Sequence, residues 1–370
     1  MIKCSLILLF CAVVVLHAQP YDATFRIALS SRIDTTNTEV HNVLTTWMNY
    51  LRSRPDSLYN NPYWVQSERQ QLPEFDLTRN WIFQSPDMLR RYQPTILSVE
   101  NEGALRCIRT MFTYADNNGV APLAFHRVYA EQHSGQWYLK GAWSVLTQNW
   151  NRTTFGKITY VYSGKNTFST TLARGASRWC DSLASAFELN LSESTVFVCE
   201  NRDELARVLG LDYFIAPPHG ITYQENAMMF SGLGTPWHPH ELAHLVFAQY
   251  STTHVLLKEG IATWVGGSLG DSYPALVQQF IKKYSETPFR IQDVLNKSVE
   301  ESQTFYTIGA VLCNAVYDIG GAESVRLLLS APATDGGLFA TVSRLLNIQP
   351  DKLNDYVMRK AKQYSANRHE

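Results

Sequence analysis

The chain has 370 residues, of which 45% are hydrophobic, 12% aromatic and 18% charged, a composition that supplies a packed core and excludes a disordered chain. Its formal net charge of −1, with no long run of either sign, gives no electrostatic basis for nucleic acid or an anionic membrane surface as a partner. The length suggests about two domains.

The first residues, "MIKCSLILLFCAVVVLHAQP", place Lys3 before an apolar run from Leu6 to Leu16 and then the small Ala18. That is the layout of a secretory signal peptide over residues 1–18, with cleavage after Ala18. The run is too short to span a bilayer comfortably. No other segment is apolar enough to cross, so the expected mature chain is secreted or periplasmic, with no integral membrane segment. Of the six cysteines, Cys4 and Cys11 lie in this leader. Cys107, Cys180, Cys199 and Cys313 sit in apolar surroundings without paired short spacing, which argues for buried thiols rather than a cysteine zinc site.

Residues 22–150 form the first expected unit, an α+β domain. "TEVHNVLTTWMNYL" carries Val40, Val43, Leu44, Trp47, Met48 and Leu51 at helical spacing. A polar stretch runs to about Gln93. The segments "TILSVEN", "LRCIRTMFTYA", "LAFHRVYAEQ" and "QWYLKGAWSVL" alternate, are rich in β-branched and aromatic residues, and are parted by turn signals. In order and pattern this unit resembles an NTF2-like or cystatin-like domain, which implies a curved antiparallel sheet. "WNRTTFG", residues 150–156, reads as a linker.

The second expected unit covers residues 157–370. "KITYVYS" reads as a strand, "STTLARGASRWCDSLASAFEL" as an amphipathic helix and "STVFVCE" as a strand. "NRDELARVLG" is a helix with an Asn N-cap, and "GITYQ" and "NAMMFSG" are short strands. Beyond Pro236 the pattern is almost wholly helical. A small mixed sheet, then helices, makes this domain α+β as well.

The chemistry concentrates in "HPHELAHLVFAQYSTTHVLLKEGIATWVGG", residues 238–267. His240, Glu241 and His244 fit H-E-x-x-H. Residues four apart on a helix share a face, about 6 Å apart along the axis. Two imidazoles so placed can share a zinc ion, and Glu241 beside them can take a proton from water. The apolar Leu242, Ala243, Leu245, Val246 and Phe247 imply a helix buried on most sides. Buried without compensation, the carboxylate and imidazoles would cost several kcal/mol, and a divalent cation supplies that compensation. Zinc needs a third protein ligand. A continuation H-x-x-G-x-x-H fails at Phe247 and Tyr250. Glu259, on a second apolar helix beside Gly260, is favoured over His254 in its polar "STTHV" stretch.

This constellation resembles the gluzincin, thermolysin-like group of zinc metallopeptidases. "HELAH" followed by "LLKEGIATWVGG" is similar to that group's H-E-x-x-H and E-G-x-A helices, and "SQTFYTIGAVLCNAVYDIGG" is similar to a later helix with an aromatic residue, a glycine and a closing glycine pair. The resemblance implies a zincin-like fold with His240, His244 and Glu259 as zinc ligands. It implies Glu241 as general base and acid in hydrolysis of a peptide or protein substrate. Thr263 stands where several relatives carry an Asp one turn after the third ligand. The oxyanion formed in such a reaction needs a donor, for which Tyr306 is the first candidate and His219 and His238 are alternatives. By the same resemblance "NAMMFSG" is a strand that edges the substrate cleft; a buried strand of a small sheet is the equal alternative. Two other readings share these residues: a zinc-containing peptide-binding protein without turnover, and a hydrolase of non-peptide amides or esters. No cluster of acidic residues suggests calcium.

Overall fold

The structure, a computed structural model, describes residues 26–53, 61–71, 92–116, 119–164, 167–296 and 302–366. The expected signal peptide lies outside the described residues. The chain is a mixed α+β protein with two mixed sheets and a helical C-terminal part.

The first sheet is built from β1 (Ala28–Leu29), β2 (Gln93–Glu102), β3 (Leu105–Asp116), β4 (Gly119–His133) and β5 (Gln136–Lys140), side by side in that order. β1 runs parallel to β2 and the remaining pairs are antiparallel. Helix Thr38–Arg52 covers one face. Its N-cap Asn37 accepts from the Glu39 and Val40 amides, and Val43, Leu44, Trp47, Tyr50 and Leu51 are buried. Trp47 stacks on His126, with ring centroids 5.7 Å apart, and donates through Nε1 to Thr110 Oγ1 at 2.9 Å. "QWYLKGAWSVL" is not one strand. Gly141 ends β5 and caps a short helix, Ala142–Leu146, because its amide donates to the buried Glu68 carboxylate at 2.6 Å.

The second sheet follows directly. "WNRTTFG" is not a linker: Asn151–Phe155 is β6, whose Thr and Phe residues suit a strand, and Gly156 at φ +55° turns it into β7 (Ile158–Tyr162). Helix Thr170–Ala186 crosses from β7 to the parallel β8 (Ser194–Val198). Helix Arg202–Val208 is capped by the Asn201 side chain. β9 (Leu211–Phe214) then leaves this unit and pairs antiparallel with β4 of the first sheet, so strands from both halves of the sequence share one sheet. β10 (Gly220–Tyr223) and β11 (Met228–Ser231) return to complete the order β10-β11-β8-β7-β6. Alternation along these strands puts Tyr160, Val196 and Met229 on the face that meets the helices following β11, and Val161, Phe197 and Phe230 on the other.

Beyond β11 the chain is helical. Helices Pro239–Val246 and Val255–Gly266 carry the motif residues, and Ser302–Leu329 packs across the second of them. Two glycines allow that crossing. A Cβ on Gly260 would stand 2.6 Å from Gly309 Cα and O, and one on Gly309 would stand 2.8 Å from Gly260 Cα. The expected closing glycine pair breaks the long helix, with Gly321 at φ +61°.

Candidate metal centre

Pro239 opens the first motif helix at a position where its missing amide costs nothing. One turn then lays His240 and His244 on the same side, with ring centroids 5.0 Å apart. The second helix brings Glu259 across to them. His240 Nε2 lies 3.2 Å and His244 Nε2 3.6 Å from Glu259 Oε2. One ligand atom from each of the three residues lies within 4.8 Å of the others. The two helices approach this closely because Gly266 has no side chain: a Cβ there would meet the Pro239 carbonyl carbon and oxygen at 2.6 Å.

Hydrogen bonds define what the imidazoles present. His240 Nδ1 lies 2.7 Å from the Gly267 carbonyl oxygen, which can only accept, so Nδ1 carries the proton. Gly267, at φ +74° and ψ −176°, ends the second helix in a backbone conformation that glycine adopts readily, and this aims its carbonyl. A neutral His240 therefore directs the Nε2 lone pair at a Glu259 oxygen. Two acceptors facing each other at 3.2 Å require a cation or a proton between them. The titration of the pair says the same thing. Burial pushes His240 down, but the Glu259 hydrogen bond and charge outweigh it and raise its pKa. Burial likewise pushes the Glu259 carboxyl up, and His244 and His240 outweigh it and hold it well below the usual carboxylate range. The distances also suit a metal: donors about 2.0–2.1 Å from a tetrahedral zinc are about 3.3 Å apart, close to the 3.2 and 3.6 Å found here. The three residues fit a zinc ion.

Glu241, on the adjoining face of the first helix, is 8% exposed. Its Oε2 accepts from Thr222 Oγ1 of β10 at 2.7 Å. Tyr306, on the long helix, is buried, and its ring centroid lies 5.9 Å from that of His240. His238 is the N-cap residue of the first helix; Ser231 Oγ lies 3.1 Å from its Nδ1, and burial pushes its pKa down to about 4. His219 is exposed on the loop before β10. His254 stays out of the cluster. It caps the second helix, its Nδ1 accepting from the Leu256 amide at 3.1 Å, and its Nε2 donates to Asp335 Oδ1 at 3.1 Å. Thr263 is fully buried, and its Oγ1 has no hydrogen-bond partner among the described residues; nor has His244 Nδ1.

No family model matches the chain, and no curated protein does. Among solved structures it is similar to an M1 zinc metallopeptidase from Deinococcus radiodurans, at 17% identity and a TM-score of 0.34, over 74% of this chain and 62% of that one. A variant of that protein bound to a Tyr-Ser-Ala substrate gives 16% identity and a TM-score of 0.35, with 74% and 62% covered. A two-domain M1 zinc metallopeptidase variant bound to L-arginine gives 14% and 0.37, again over 74% and 62%. The chain thus spans less than two thirds of the length of these proteins.

Three contributors escaped the sequence reading. Thr222 holds Glu241, Gly267 orients His240, and Gln224 Nε2 donates to the His244 carbonyl at 3.0 Å. Only Gly267 carried a signal, in the "GG" that closes "TWVGG". Of the two readings of "NAMMFSG", the structure has the inner strand: β11 lies between β10 and β8, paired on both sides, and the edge strand next to it is β10.

Proposed function

We propose that this protein is an exported zinc metallopeptidase of the gluzincin type, with His240, His244 and Glu259 as metal ligands. The observation that carries the reading is the His240–Glu259 pair, where a proton fixed on Nδ1 by Gly267 leaves two acceptors that a cation would join. A zinc ion there supplies a Lewis acid for a carbonyl oxygen and makes water a stronger acid. Glu241 takes the proton of the attacking water and returns it to the leaving amine. The Tyr306 hydroxyl donates to the oxyanion that develops, for which its ring lies on the His240 side of the site. The ligands keep slight exposure, 13% and 14% for the His240 and Glu259 side chains, which gives water and substrate a route to them.

The test is a peptide library offered to the zinc-loaded protein and to Glu241→Gln. Cleavage by the wild type, with loss of at least about 100-fold in the variant while zinc is retained, fits the role of a general base. A variant that cleaves as well as the wild type would remove Glu241 from the mechanism.

A further inference from the structure

β10, at one edge of the second sheet, does more than close it. Along β10 alternate residues share a face. Ile221 and Tyr223 pack with Phe197 and Phe230 on one side of the sheet. Gly220 and Thr222 face the other way, onto the helix of Glu241. A Cβ on Gly220 would stand 2.7 Å from Glu241 Cγ and 2.9 Å from His238 Nδ1. The strand therefore leaves room for the Glu241 stem. Two residues on, Thr222 Oγ1 lies 2.7 Å from Glu241 Oε2 and 3.1 Å from the Glu241 carbonyl oxygen. A hydroxyl has one proton, and the shorter contact is to the stronger acceptor, the carboxylate. The carbonyl belongs to the helix and has its own ladder donor.

We infer that Thr222 is a positioning residue for Glu241. Its hydroxyl fixes Oε2 and so selects one rotamer of the carboxylate, leaving Oε1 to accept the proton. A free glutamate with three side-chain torsions would sample several arrangements, few of which present an oxygen to the reacting water. β10 is itself anchored. β11 pairs with it over all four residues, Gln224 at its end donates to the His244 carbonyl, and the Gly232 amide donates to the His219 carbonyl at its start. The grip on Glu241 is thus tied to the helix that carries both imidazoles.

This inference rests on the reading of Glu241 as the base, and its test separates the two. Thr222→Val removes the hydroxyl at similar volume, and Thr222→Ser keeps it. Zinc content, crystal structures of the zinc-loaded proteins and steady-state kinetics on a cleaved peptide are measured for both. In Thr222→Val the Glu241 carboxylate should leave its wild-type position while zinc stays at the wild-type level. Its kcat should fall about 10- to 100-fold, the worth of one hydrogen bond to a charged group, with KM unchanged. Thr222→Ser should restore both the position and most of the rate. A Glu241 that keeps its place in Thr222→Val, or a Thr222→Ser no better than Thr222→Val, overturns the inference. A wild type that cleaves no peptide overturns the peptidase reading instead, and the position of Glu241 in the crystals then decides Thr222 alone.

Discussion

Replacing Gly260 by Ala tests whether the site depends on a helix crossing made possible by two glycines. The new Cβ would lie 2.6 Å from Gly309 Cα and O, against the roughly 3.5 Å of relaxed carbon contacts. Those are backbone atoms, and no rotamer change relieves them. The helices must part by about 1 Å, an overpacking cost of about 1–3 kcal/mol. Alanine is the better helix former by about 1 kcal/mol, so the net loss is about 0–2 kcal/mol. Glu259 is the neighbour of Gly260, and Tyr306 sits one turn before Gly309, so a 1 Å step of about that size moves a ligand and the donor candidate together, enough to cost about 100-fold in rate. Urea unfolding of the metal-free protein gives the stability, since bound zinc would add its own linkage. Chelator competition gives the zinc affinity. A Gly260→Ala protein at least as stable as the wild type, with unchanged zinc affinity, would refute the reasoning.

Other sites give further tests. Burial pushes the Glu68 carboxyl up to about 7 from 4.5, against hydrogen bonds from Ser144 and Gly141 that lower it. The unfolded chain ionises first, so this group's effect is nil below pH about 4.5, lowers stability as pH rises to about 7 and is constant above, for a total of about 3 kcal/mol. Glu68→Gln should therefore gain on the wild type between pH 5 and 8 in unfolding free energy; a constant difference would contradict the shift. His254→Ala removes the cap of the Glu259 helix and its link to Asp335, and should cost about 1 kcal/mol in urea unfolding. Arg109 and Arg127 stand opposite each other on β3 and β4, and Asp212 of β9 pairs with both. Asp212→Asn takes the carboxylate from Arg127 while Arg109 keeps Glu100 and Glu102, for a loss of up to about 1 kcal/mol at low salt that should shrink as salt is added.

What could be read ahead of the structure followed from local rules. The H-E-x-x-H spacing needs only the helix repeat to bring His240 and His244 together, and Gly260 beside Glu259 marks a close helix approach. Asn201 caps the helix its position suggests. What escaped was set by partners distant in sequence. Strand order cannot be read from alternation, so the sequence leaves "NAMMFSG" open between an edge and an inner strand, and pairing with β10 and β8 decides it. Four residues, Leu211–Phe214, cross to the first sheet because β4 extends beyond β5 and leaves a partner's place open for them. Thr222 looks like any β-branched strand residue, and its hydroxyl matters only because the fold sets it against Glu241. The QWYLKGAWSVL segment ends its strand at Gly141 because of Glu68, 73 residues away.

The most direct test of the central claim is an anomalous difference map from crystals of zinc-reconstituted protein, collected at the zinc absorption edge. The account expects a single strong peak about 2.0–2.2 Å from His240 Nε2, His244 Nε2 and a Glu259 oxygen. No peak among these three residues, or a peak held by other groups, would contradict it.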